Sequence, residues 1–274
     1  MNDSLGLHFL YRTVAGRAVL KVLAAPKVSV AAGRFLSTSL SKPLIDYYIK
    51  KHDIDMSDID IPQGGFASFN DFFTRKKKNF NVDNSNGRMI SPSDGFLTCI
   101  PIREEVVFDI KHTKFFLKDL LKNNDLAAKF KDGVALVYRL TPANYHRYCY
   151  VADGRIVSRR RINGELHCVR PVATSTIPVF VQNSREYQVI DTEMFGTIVQ
   201  MEIGALMVGK ISNNPKYIDN SVVWAGDEKG YFEFGGSTIV ILLQKDTVEF
   251  SDSIKKKIAS KEEFAVKIGE CIGM

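Results

Sequence analysis

With 274 residues, 45% of them hydrophobic and 25% charged, the chain can bury a sizeable core in one or two domains, and a disordered or fibrous protein is excluded. Its four cysteines, Cys99, Cys149, Cys168 and Cys271, form no CxxC pair, and its five histidines are scattered singly. Neither a disulfide framework nor a metal site is expected, and with no secretory signal at the start a reducing cytoplasmic setting fits best.

The net charge of +6 is uneven. Residues 1–50 carry Arg12, Arg17, Lys21, Lys27, Arg34, Lys42 and Lys50 against Asp3 and Asp46. This segment reads as helical, with Pro26 and Pro43 punctuating two or three short helices. Its basic side chains alternate with Phe9, Leu10, Tyr11, Val14, Val19, Leu20, Val22, Leu23 and Phe35. That pattern suits a helix lying in an anionic lipid interface, and equally an amphipathic helix packed on the protein's own core. Lys21, Pro26, Lys27 and Arg34 break the run well before ~18 apolar residues, so a membrane-spanning helix is not expected. No nucleic-acid motif accompanies the charge, and no nucleic-acid partner is expected.

Ser68 predicts a helix cap, with Asp71 three residues on, and the basic run Arg75 to Lys78 beyond it reads as a solvated face. After Asn81 short apolar or alternating runs such as Val134 to Tyr138 and Val189-Ile190 predict a mainly antiparallel sheet. Asp153-Gly154 and Asn163-Gly164 are hairpin signals. The adjacent His167 and Cys168 would then point to opposite faces of a strand. Phe116, Leu117, Leu120, Leu121 and Leu126 predict one helix around Lys114 to Phe130.

Phe234-Gly235-Gly236-Ser237-Thr238 is the sharpest local feature, because five apolar residues, Ile239 to Leu243, follow it and read as a strand buried on both faces. Ser237 stands at the entrance of that strand. The two glycines would leave the Gly236 carbonyl open to attack by the Ser237 hydroxyl. Gly-Gly-Ser is also a common tight turn, and the tripeptide alone supports both readings.

Further motifs bear on that choice. Ser91-Pro92-Ser93-Asp94-Gly95, Asn144-Tyr145-His146-Arg147, the run Asp191 to Gly196, the run Met201 to Gly209 and finally Phe234 to Thr238 resemble, in that order, the motifs of prokaryotic-type phosphatidylserine decarboxylases. Ser68 to Arg75 also resembles the family's Phe-Phe-x-Arg region, and the likeness spans about Phe66 to Leu243. The resemblance implies an α+β protein: a basic amphipathic helical membrane-associating segment, residues 1–50, and a mainly antiparallel catalytic domain, residues 51–274. It implies that Ser237, activated by a histidine that an aspartate orients, attacks the Gly236 carbonyl and replaces the peptide bond by an ester. Elimination would break the ester, leaving a β chain of residues 1–236 and an α chain of residues 237–274 that starts with a pyruvoyl group made from Ser237. That ketone would condense with the amine of phosphatidylserine and accept the electrons released as carbon dioxide leaves, giving phosphatidylethanolamine. Implied partners are phosphatidylserine, an anionic lipid surface at the cytoplasmic face of the cell membrane, and the two chains as a heterodimer, with a higher oligomer left open.

Asp94 matches the orienting aspartate of the family, although Ser-Asp-Gly is on local grounds an ordinary turn. His146 matches the first histidine of the family's Tyr-His-Arg-x-His pattern, the one associated with decarboxylation. At the second histidine position, the one assigned to self-cleavage, this chain has Cys149. Three bases stay open: His146 in both steps, His167, or Cys149. A thiol of pKa near ~8.5 makes a poor base, and His167 is expected two strands from Cys149, roughly 10 Å away. The order of preference is His146, then His167. The missing histidine also allows a second function, a non-catalytic lipid-binding relative that does not mature. A serine hydrolase would lack the Gly-x-Ser-x-Gly elbow.

Overall fold

The computed structural model describes residues 5–80, 82, 87–103, 106–110, 113–169, 171–174, 178–205, 210–234, 237–259 and 262–274. Eight strands form one antiparallel sheet in the order Val222–Val223, Gly154–Ile162, Arg185–Thr192, Gly196–Ile203, Ser237–Leu243, Val134–Leu140, Gly95–Pro101 and Phe264–Val266. Ser237–Leu243 is buried along its whole length between Gly196–Ile203 and Val134–Leu140. Its β-branched residues fit a position with packing on both faces. Ile239, Ile241 and Leu243 pack on one side with Tyr138, Tyr148 and Phe232, while Val240 and Leu242 pack on the other with Val137, Met201 and the helices Leu117–Leu121 and Asn124–Ala128. A three-stranded sheet of Ile211–Asn213, Glu228–Phe232 and Arg147–Cys149 contributes Tyr148 and Phe232 to the first of these cores.

The N-terminal segment is helical as expected, but in four helices rather than two or three: Leu5–Arg12, Val14–Leu23, Pro26–Leu36 and Leu44–His52. Thr13 caps the second, its Oγ1 accepting from the Gly16 amide at 2.9 Å, and Pro26 begins the third, where its missing N–H costs nothing. One face docks on the body. Tyr11 and Leu20 join the main core, the Cys168 amide donates to Tyr11 Oη at 2.7 Å, and the Leu166 amide donates to the Ala24 carbonyl at 3.1 Å. The opposite face leaves Phe9, Val14, Val19, Val22, Val30, Phe35 and Leu40 exposed, Val14 by 79% and Leu40 by 77%. Among the described residues no helix is long and apolar enough to cross a membrane.

Four local expectations are corrected. The helix expected over Lys114 to Phe130 is a strand, Thr113–Phe116, followed by two short helices. Lys122 takes a left-handed conformation (φ 50°) that ends the first helix, and Asn123 Oδ1 accepts from the Leu126 amide to start the second. Asp153-Gly154 joins no hairpin, since Arg147–Cys149 pairs with Glu228–Phe232, whereas Gly154–Ile162 pairs with Arg185–Thr192 in the large sheet. After Asn163-Gly164 the chain makes a single parallel bridge, Glu165 to Asn183, so His167 and Cys168 lie in irregular backbone rather than on a strand. Finally, Arg75 is buried: its guanidinium lies over the Phe72 ring and donates to the carbonyls of Ala143 and Asn144.

Candidate active site

Strand register gathers the site at one end of the large sheet. Arg139 pairs with Thr238 on one side and with Phe96 on the other, and Leu140 pairs with Ser237. Asp94, just before Gly95, therefore lies two strands from Ser237, about 10 Å by strand spacing. Beyond Leu140 the chain turns, with Asn144 Oδ1 accepting from both the amide and the hydroxyl of Thr141 at 2.7 Å. This turn delivers His146, whose buried ring lies 4.0 Å from that of Phe73. Phe73 also touches Phe234 at 5.2 Å between centroids, the Phe234 amide donates to Asn70 Oδ1, and the Phe232 amide donates to the His146 carbonyl. The Ser68-capped helix Phe69–Phe73 thus props His146 against the segment leading into Ser237.

Asp94 is buried and accepts from the Ile268 amide at 2.9 Å, with Lys77 Nζ at 3.8 Å and Lys267 Nζ at 3.9 Å. Its described partners are these cations and this amide, and they include no histidine. Cys149 lies against the same turn, its amide bonded to the Pro92 carbonyl at 3.0 Å and its Sγ 3.6 Å from that oxygen. Complete burial pushes the Cys149 thiol well above its ordinary pKa.

His167 is tied to the Gly196–Ile203 side of the sheet. Asn183 clamps its backbone, the side-chain oxygen accepting from the His167 amide at 2.9 Å and the side-chain nitrogen donating to the His167 carbonyl at 2.8 Å and the Gly204 carbonyl at 2.7 Å. Because Ile203 pairs with Thr238, Gly204 falls one step along the ladder, beside Ser237. The His167 ring is largely buried, its Nε2 is 2.5 Å from Glu165 Oε2, and among the described residues its Nδ1 has no hydrogen-bond partner. A carboxylate on Nε2 makes that nitrogen the donor and leaves Nδ1 as the acceptor, the tautomer a general base requires. Ser237 itself is fully buried, and among the described residues its Oγ has no hydrogen-bond partner. Leaving a buried hydroxyl unpaired costs about 1–3 kcal/mol.

Two charged residues that sequence reading passed over lie on the same face of the sheet. Glu202 and Lys229 form a fully buried ion pair at 2.5 Å, and Lys229 Nζ also donates to Asn213 Oδ1 at 3.2 Å. Burial raises the Glu202 carboxyl above its ordinary pKa, against the opposing pull of Lys229. The signal was available, since a carboxylate within an otherwise apolar strand stays buried only if paired. Arg75 and Asn183 gave no comparable signal.

Comparison with known proteins gives the family. The family model for phosphatidylserine decarboxylase matches residues 69–274. Phosphatidylserine decarboxylase proenzyme 2 of Clostridium acetobutylicum is 38% identical over 272 residues, 97% of this chain and 91% of that protein. The phosphatidylserine decarboxylase proenzyme of Ruminiclostridium cellulolyticum is 38% identical over 274 residues (97% and 90%), and that of Fusobacterium nucleatum 37% identical over 272 residues (97% and 90%). With its motifs at one end of an antiparallel sheet and similarity along nearly its whole length, the chain belongs to the phosphatidylserine decarboxylase family.

Proposed function

We propose that this protein decarboxylates phosphatidylserine to phosphatidylethanolamine after cutting itself between Gly236 and Ser237. The observation that carries this reading is the Ser237 hydroxyl, buried at the entrance of the central strand and without a partner among the described residues. The surroundings suit a pyruvoyl group made in place from that residue: a water-poor strand end, with imidazoles entering from two sides. The group supplies a ketone conjugated to a carbonyl, which takes up the substrate amine and accepts the electron pair freed as carbon dioxide leaves. The protein's own residues bind, orient and move protons around it.

Among the bases, His167 is supported over His146 for self-cleavage. It has a carboxylate on Nε2, a buried acceptor nitrogen, and a backbone clamped beside the neighbour of Ser237. Its Nδ1 would take the Ser237 proton and hand it to the departing amide nitrogen. His146, packed beside the segment that enters Ser237, is then left to serve the decarboxylation step. Asp94 braces the turn before Gly95 against Lys77, Lys267 and Ile268. The exposed apolar face of the N-terminal helices, with its surrounding Arg12, Arg17, Lys21, Lys27 and Arg34, would seat the enzyme on the anionic cytoplasmic face of the cell membrane as a peripheral protein.

The test is the mass spectrum of the purified chain. Two chains are expected, the smaller starting at position 237 and lighter by the change from an amine to a ketone. A single whole chain would favour a non-catalytic lipid-binding relative, and so would a second chain that begins with serine.

A further inference from the structure

Serine attack explains only how the Gly236–Ser237 bond becomes an ester. Breaking that ester by elimination also requires a base to remove the proton on the α-carbon of residue 237, and the described structure offers a group for this that no family motif assigned. Glu202 pairs directly with Ile239 across the ladder, and residues opposite one another share a face. Ile239 and Ser237 are two apart on one strand and so share that face too. Glu202 is therefore the diagonal neighbour of residue 237, about 7–8 Å between α-carbons, a span a glutamate side chain bridges. Beyond Glu202 on this face comes Gly204, which has no side chain to block the space beside Ser237. Lys229 grips one carboxylate oxygen, Oε2, while Oε1 is buried and has no hydrogen-bond partner among the described residues.

We propose that Glu202 Oε1 is the base of the elimination step in maturation, with Lys229 holding the carboxylate ionised and in place. This rests on the reading that Ser237 forms an ester with Gly236. Glu202 takes the proton from the α-carbon of residue 237. The freed electron pair forms a double bond to the β-carbon, and the bond from the β-carbon to the ester oxygen breaks, releasing the Gly236 carboxylate as the end of the β chain. Glu202 then returns its proton to the β-carbon, which becomes a methyl group. Water adds at the α-carbon, and ammonia leaves as ammonium, giving the ketone. A groove of about 630 Å³, lined among others by Asn213, Glu186 and Tyr231, comes up to Asn213, the side chain that accepts from Lys229 Nζ at 3.2 Å.

The experiment uses the full chain with Glu202→Gln, followed by mass spectrometry with and without neutral hydroxylamine added after denaturation. The expected product is a chain of unchanged mass that hydroxylamine splits into a hydroxamate-ended 1–236 and a serine-started 237–274, with pyruvoyl formation slowed at least about 100-fold, the lower range of general-base contributions. Glu202→Asp should recover part of the rate. Because Glu202→Gln strands a buried lysine, the double variant Glu202→Gln with Lys229→Met is made alongside it, since neutralising both members of a buried pair generally preserves stability. It should fold by circular dichroism and stall at the same ester. Wild-type maturation in the single or the folded double variant would overturn the proposal, as would a stalled chain that hydroxylamine leaves whole. If the wild-type chain itself never divides, the reading of Ser237 fails and takes this proposal with it; if only the variants mature normally, the proposal alone fails.

Discussion

At the position where the family pattern has its second histidine, Cys149 is sealed between the Ser91–Pro92 backbone and the core, and burial opposes its thiolate. On the proposed reading the proton acceptor is His167, in a loop fixed by Asn183. His167→Ala should therefore leave the chain whole, His146→Ala should give two chains that do not turn over phosphatidylserine, and Cys149→Ala should be cut at the normal rate. Following intact and cleaved chain over time by mass spectrometry decides among them, and normal cleavage of His167→Ala would return the role to His146. Asn183→Ala tests the clamp. It leaves the amide of His167 and the carbonyl of Gly204 without their partner, so a stability loss of about 1–3 kcal/mol and slower maturation are expected, read from a urea midpoint and a cleavage time course.

Among the elements, the two short helices after Phe116 and the N-terminal helices pull on different properties. Asn123 caps Asn124–Ala128, which packs beneath the sheet face away from Ser237. Asn123→Ala should cost about 1 kcal/mol, lowering the melting temperature by roughly 2–4 °C with maturation unchanged. The N-terminal helices carry Phe9, Val14, Val19 and Val22 outward, next to basic side chains. Exchanging Arg12, Arg17 and Lys21 for glutamine should weaken binding to phosphatidylserine vesicles by about 3 kcal/mol, roughly 100-fold, at about 1 kcal/mol per cation. A vesicle sedimentation assay reads this, and binding that ignores both the substitutions and added salt would remove the lipid from this face.

Over the whole molecule, the proposed cut would fall at the start of a strand that is buried along its whole length. Strand Ser237–Leu243 stays zipped between Val134–Leu140 and Gly196–Ile203, while Phe264–Val266 pairs with Gly95–Pro101 and Ile268 holds Asp94. The two chains should thus remain together through purification and separate only in denaturant, in a transition that coincides with loss of circular dichroism. Release of residues 237–274 at lower denaturant would contradict this. The sequence by itself determined the class of fold, the central strand and the serine at its entrance, because a buried strand and a Gly-Gly-Ser entrance are written in neighbouring residues. It also located Asp94 and His146, through motifs that are contiguous in the chain. Register and loop docking were left to the tertiary structure. Only the ladder Glu202 to Ile239 sets that carboxylate beside residue 237, and only the Asn183 clamp brings a loop histidine to Gly204. Both depend on pairings between segments more than 15 residues apart, which no local pattern encodes; the same holds for Arg75, drawn from an apparently solvated run into the carbonyls of the Ala143–Asn144 turn.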